Sequence, residues 1–308
     1  MVDGVLGIDI GGSGSRASAG GMVLTGRGVT VGAGGSDAAT VAEELLARVD
    51  VGEVSAVGFS AVGFSVTGLA TVVPDPSAFR ALVARRFGPV PVVLATDGLA
   101  AQVGALGGAA GAVVAAGTGT IAIGTDLEGI WARVDGWGHL LGDDGGGAAI
   151  GMAALRIAIA QHDGRRSDGA RLLALARDRF GDPETWPAQL YTRDDRAGVL
   201  AGFVPDVALA AAGGDPAATS VLRSAGRALA TTLHAALVPG LPRVASYTGG
   251  IFSAGESLRA AFRDELVRLG GPIDLREPLG GPLDGAVRLA AMAAERADRF
   301  VARPSFFA

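Results

Sequence analysis

Several short stretches carry residue types that could do chemistry on phosphates and hydroxyl groups. The first is Asp9-Ile10-Gly11-Gly12-Ser13-Gly14. Glycine lets backbone N–H groups come close to phosphate oxygens, and a carboxylate at a strand end can hold Mg2+ through water. Gly12, Gly14 and Ala17 also fit a dinucleotide fingerprint, and a plain glycine turn fits too. The dinucleotide reading requires a helix immediately afterwards, and no helical period follows. A second turn, Gly117-Thr118-Gly119-Thr120, offers hydroxyls and small residues to phosphate, or is an ordinary hairpin. At Gly249-Gly250 a ligand could approach the backbone closely, or a strand simply turns into a helix.

Carboxylates supply the proton chemistry. Asp97 follows an apolar run, at the kind of strand end where α/β sheets bind ligands, and could take a proton from an attacking hydroxyl. Aspartate is equally suited to cap the helix that follows. The stretch Asp135-Gly136-Trp137-Gly138-His139-Leu140-Leu141-Gly142-Asp143-Asp144-Gly145 sets a tryptophan between glycines, a poor place for core. Trp137 suits the wall of a sugar or ring site, with Asp143 accepting from hydroxyls. His139 reads as structural.

The surrounding elements explain how these residues could be presented. Val5–Ile10 reads as a buried strand, and the glycine-rich segment to Val31 as further strands joined by tight turns. Thr40, with Glu43 three residues on, predicts a helix start. Strands are expected at 56–59 and 91–95, with a helix at 76–87 between them and another at 98–106. A second strand–turn–strand unit at 112–124 repeats the layout of the first. Helices are expected at 148–161, 168–180, 216–237, 256–269 and 284–300, and a buried strand at 243–247. This pattern predicts an α/β chain of two lobes around a central cleft.

Composition removes many alternatives. The sequence holds no cysteine and no lysine; all 26 basic residues are arginine. That excludes thiolate metal sites, iron–sulfur clusters, a Walker-A lysine and a Schiff base. A net charge of −5 gives no footprint for nucleic acid or an anionic membrane. The N-terminal residues form no signal-peptide pattern, and no apolar run reaches the roughly 18 residues of a membrane helix. A cytoplasmic protein is expected.

Taken in order, these motifs resemble the N-acetylglucosamine kinases of the BadF/BadG/BcrA/BcrD ATPase family, within the actin–hexokinase–Hsp70 superfamily. Gly136-Trp137-Gly138-His139 is the most specific part of the likeness. The resemblance implies two ribonuclease-H-like lobes, residues 1–108 and 109–289, with a C-terminal helix at 290–308 returning to the first. It implies ATP and Mg2+ as cofactors, an amino sugar as acceptor and a homodimer. Asp9 would organise Mg2+, and Gly11, Gly12, Ser13 and Gly14 would form the first phosphate loop. Gly117, Thr118 and Gly119 would form the second, and Gly249 and Gly250 the adenosine site. Asp97 would be the base toward the sugar's 6-hydroxyl, with Ser36, Asp37, Trp137 and Asp143 around the sugar. Gly117 and Thr118 would contact the sugar as well. The family commonly has an asparagine where this chain has Asp37, so the sugar preference is the open point. The family's dehydratase-activating members need cluster cysteines and are excluded. Glucosamine, another hexose, or a non-catalytic sugar-sensing role stand as alternatives.

Overall fold

The computed structural model describes residues 4–12, 14–32, 35–49, 54–61, 77–193 and 195–295. Ser13, Gly34 and the 296–308 part of the expected last helix lie outside the described residues. The apolar run Val5–Ile10 forms β1 and is buried throughout. Ser15–Ala19 (β2) and Met22–Gly26 (β3) continue it as an antiparallel meander, which places Arg16 opposite Asp9. A strand directly after the first glycine loop rules out the dinucleotide fingerprint, because no helix N-terminus stands there to receive a pyrophosphate. Val31–Gly32 (β4) and Gly35–Ser36 (β5) pair as a short ladder. Ala56–Ala61 (β6) and Val92–Thr96 (β7) run parallel to β1, giving the order β3-β2-β1-β6-β7.

Ala38–Arg48 (α1) starts two residues before the expected Thr40 cap. Ser36 accounts for the shift, because its Oγ accepts the Ala38 N–H at 3.1 Å and the alanines after it propagate the helix at once. Ser77–Phe87 (α2) links β6 to β7, and Asp97–Leu106 (α3) leads to the second sheet. Gly111–Ala116 (β8), Thr120–Thr125 (β9) and Trp131–Asp135 (β10) form a second antiparallel meander. Val244–Thr248 (β11) and Asp274–Leu275 (β12) join it in parallel, giving β10-β9-β8-β11-β12. The two sheets therefore repeat one topology, as the paired strand–turn–strand segments imply.

Between β10 and β11 the chain is helical: Gly147–His162 (α4), Ala170–Phe180 (α5), Trp186–Tyr191 (α6), Arg196–Ala201 (α7), Val204–Ala212 (α8) and Pro216–Ala236 (α9). Sequence reading passed over α6 to α8, where Pro187 and Pro205 look like breakers but occupy first turns that need no proline N–H. In α9, Asp215 accepts the Ala218 N–H at 2.8 Å, worth about 1 kcal/mol as a cap. Its Val221, Leu222, Ala225, Leu229 and Leu233 lie inward at helical spacing. Glu256–Leu269 (α10) and Pro282–Glu295 (α11) complete the fold. Among the described residues no single helix is long and apolar enough to cross a membrane.

Each sheet has its own core, and a third cluster joins them. Leu99, Ala100 and Val103 of α3 pack with Val93 of β7, Ile123 of β9 and Leu289 of α11. Gly285 lets α11 approach α3 so closely that a Cβ there would overlap the Ala100 carbonyl. Helix α3 is thus wedged into the seam between the sheets, with its N-terminus at the end of β7.

Candidate active site

Asp97 is the first residue of α3, and Thr96 is the cap. The Thr96 Oγ1 accepts the Leu99 N–H at 3.2 Å, while Asp97 Oδ1 accepts the adjacent Gly98 N–H at 2.7 Å. The capping role open to Asp97 in the sequence belongs to its neighbour. Burial pushes the Asp97 carboxyl up to about 6, against the pull of the Gly98 N–H, and the negative charges of Asp9 and Asp143 push it the same way. Three carboxylates from separate segments therefore lie within electrostatic reach of one another: one near the end of β1, one opening α3, and one in the loop after β10.

Asp9 is buried at the end of β1, and its Oδ2 accepts from Arg16 Nη2 at 2.7 Å. The glycine loop beside it closes through the Gly11 N–H to the Gly14 carbonyl at 2.9 Å. Gly28 packs on it so tightly that a Cβ would overlap the Gly12 carbonyl. Gly11 in turn accepts the Val29 N–H at 3.1 Å, tying the loop to the segment that reaches Asp37. Asp37 Oδ1 accepts the Thr30 N–H at 2.8 Å, and Oδ2 accepts Thr30 Oγ1 at 2.8 Å and Arg27 Nη1 at 2.5 Å. Burial raises this carboxyl, but the bonds from Arg27 and Thr30 outweigh it and leave it below the usual carboxylate value. Three of its lone pairs are used within its own lobe, so little remains for a ligand.

The second lobe assembles the rest. Gly117 and Thr118 are exposed, and their carbonyls accept the Gly147 and Ala148 N–H groups at 2.8 and 2.9 Å, locking this turn to the start of α4. Gly119 lies against the Asp143 carboxylate, where a Cβ would overlap Asp143 Oδ2. Asp143 Oδ1 accepts the Gly138 N–H at 3.2 Å. Burial raises the Asp143 carboxyl; the Gly138 and Thr120 N–H groups and His139 oppose the rise, and the Asp135 charge adds to it. Trp137 is 51% exposed, with the Arg133 guanidinium 4.9 Å from its ring centroid, so the ring is a presented surface and not core. Burial lowers the Arg133 pKa, while Asp135, Asp143 and Asp97 favour its charge.

Gly249 follows β11 with φ +104, and a Cβ there would overlap the Ala116 carbonyl, so the 249–250 corner adjoins the 117–119 turn. At Gly12, Gly117 and Gly250 a Cβ would enter open space. Glycine backbone from both lobes therefore faces room that a nucleotide's phosphates could fill, which fits ATP. Among the described residues no group of three or more His, Asp or Glu could cage a metal. Mg2+ would rest on Asp9 and on the nucleotide's own oxygens, as is usual for this ion.

The sequence reading passed over Arg16 and Arg133, and gave Asp135 and His139 no role in the site. Arg16 is visible only once the hairpin register opposes it to Asp9. Arg133 and Asp135 lie on one face of β10, a strand the sequence reading did not pick out. His139 has a buried Nε2 without a hydrogen-bond partner.

Comparison with known proteins places the chain in a family and a fold. An N-acetylmuramic acid/N-acetylglucosamine kinase from Clostridium acetobutylicum is 38% identical over 74 residues, a match spanning only 24% of each chain. A candidate N-acetylglucosamine kinase from Chromobacterium violaceum superposes with a TM-score of 0.69 at 26% identity, covering 93% of this chain and 98% of that one. A ROK family glucokinase from Streptomyces griseus, solved with glucose and AMPPNP, superposes at 0.63 with 21% identity over 94% and 99% of the two chains, a likeness of fold. The architecture is the two-lobed actin-like ATPase fold. The profile of the BadF/BadG/BcrA/BcrD ATPase family matches residues 6–286, and the chain belongs to that family.

Proposed function

We propose that the chain is a sugar kinase that transfers the γ-phosphoryl group of ATP to the 6-hydroxyl of N-acetylglucosamine. That Asp97 lies within electrostatic reach of Asp9 and Asp143, between glycine loops open to phosphate, carries this reading. The amino-sugar kinases among its relatives support the acceptor class.

Bound with Mg2+, ATP supplies the transferable group and the metal charge that offsets its phosphates. The Gly11–Gly14 loop and the Gly117–Gly119 turn would hold the phosphate oxygens through those N–H groups that remain free, since Gly11 and Gly117 donate theirs to the Gly14 and Gly119 carbonyls within their own turns. Gly250, where a Cβ would enter open space, leaves the adenosine room, and Gly249 lets the corner pack on the Ala116 carbonyl beside it. Asp97 accepts the 6-hydroxyl proton on its carboxylate as the hydroxyl oxygen attacks the γ-phosphorus and the bond to the ADP leaving group breaks. A carboxyl near 6 is mostly ionised at neutral pH yet basic enough to take a proton in the transition state. No step needs a lysine, because phosphoryl transfer depends on positioning and electrostatics. Trp137 gives the acetamide methyl a surface, Asp143 accepts from ring hydroxyls, and Ser36 and Asp37 border the acceptor. Arg27 balances the charge of Asp37, so that carboxylate does not select the ammonium of glucosamine.

A coupled ADP-release assay across glucose, glucosamine, N-acetylglucosamine, N-acetylmannosamine and N-acetylmuramic acid tests the reading. One buried methyl and a paired amide should give N-acetylglucosamine a kcat/KM about 10–200-fold above glucose. ADP release that no sugar stimulates would remove the kinase assignment. A wild-type preference for glucosamine that Asp37→Asn abolishes would remove the acceptor assignment.

A further inference from the structure

Asp135 and Asp143 are interlocked. Asp135 ends β10 with φ +64, and Asp143 lies eight residues on with φ +61. Neither is glycine, although both stand in the left-handed region where a Cβ is unfavourable. Asp135 Oδ1 accepts the Asp143 N–H at 2.6 Å, and Oδ2 accepts the Asp144 N–H at 3.0 Å. In return the Asp143 carboxylate accepts the Gly138 N–H, on the loop that Asp135 begins. Between them, the Leu141 and Gly142 N–H groups bond the Gly138 carbonyl at 3.1 and 2.9 Å, so the loop bearing Trp137 is tied at both ends.

A turn that needs a left-handed residue here would be served with less strain by glycine, which cannot supply the two acceptors. Strain of this kind persists where the surroundings over-determine it, typically at functional sites. The bonds from Asp135 go to the backbone of the residue whose carboxylate touches Gly119 in the phosphate turn.

We propose that Asp135 is a positioning residue for acceptor binding, whose carboxylate fixes Asp143 and the Trp137 loop against the 117–119 turn. It touches neither substrate nor phosphate. The proposal rests on the sugar-kinase reading for its consequence, and on the two backbone bonds for its geometry.

The test compares wild type with Asp135→Gly and Asp135→Asn. Glycine relieves the left-handed strain but removes both acceptors; asparagine tolerates the conformation and keeps one. Asp135→Gly should melt no lower than wild type while the KM for N-acetylglucosamine rises about 10- to 100-fold, since a displacement of about 1 Å in a site costs up to about 100-fold. The KM for ATP should stay within about twofold, and Asp135→Asn should recover part of the acceptor KM. A Tm drop that tracks the KM change, an equal rise in the ATP KM, or an unchanged acceptor KM would each overturn the proposal. Amide hydrogen exchange gives a readout that needs no substrate: Asp143 and Asp144 should be protected in wild type and lose protection in Asp135→Gly. If wild type turns over no sugar, the kinase reading has failed, and unchanged protection in the variant would independently defeat the Asp135 inference.

Discussion

The Thr96 hydroxyl accepts the Leu99 N–H, so the residue after it, Asp97, begins a helix it does not have to cap. Its carboxylate is instead held in the seam between the lobes, where burial and the charges of Asp9 and Asp143 oppose its ionisation. Such an arrangement costs stability and suits the base role proposed for Asp97.

Asp97 should therefore weaken the fold it belongs to. Its native pKa of about 6 lies above the ordinary 3.8, so the native state holds the proton more tightly than the unfolded state. Stability falls as pH rises from about 3.8 to about 6, and the penalty is complete above that window. The shift corresponds to about 3 kcal/mol at most. Urea unfolding should show Asp97→Asn more stable than wild type at pH 8 by up to about that amount, with little gain at pH 4. Equal stabilities at pH 8 would mean that Asp97 ionises without penalty.

The same shift sets an acid limb on turnover. kcat/KM should climb with pH through about 6 and level off above it, because only ionised Asp97 can accept the acceptor's proton. A limb at the ordinary carboxylate value near 4 would remove Asp97 from the role of titrating base.

The phosphate loops proposed on both lobes predict closure when acceptor binds, drawing the loops together and shutting water out. Solution scattering should show a smaller radius of gyration with saturating N-acetylglucosamine. A constant radius, with binding shown by calorimetry, would contradict closure.

Much of this architecture is legible in the sequence because it depends on local pattern. The apolar run of β1, the small-residue turn before Thr120 and the helical spacing in α9 each announce their element. The glycine corners stand out because few other residues permit a φ such as the +104 of Gly249. What the sequence conceals is pairing at a distance. Nothing in the spacing shows that Arg27 and Thr30 engage the oxygens of Asp37, or that Asp135 reaches across its loop to the backbone of Asp143. Thr96 and Asp97 are both good caps, and only the geometry divides the roles between them.

The most direct test of the central claim is the turnover of Asp97→Asn with ATP and N-acetylglucosamine, measured beside calorimetric dissociation constants for both. Loss of a positioned base should lower kcat by about 10²–10⁴-fold while both dissociation constants stay within about threefold of wild type. A variant that keeps more than about a tenth of wild-type kcat would show that Asp97 is not the base.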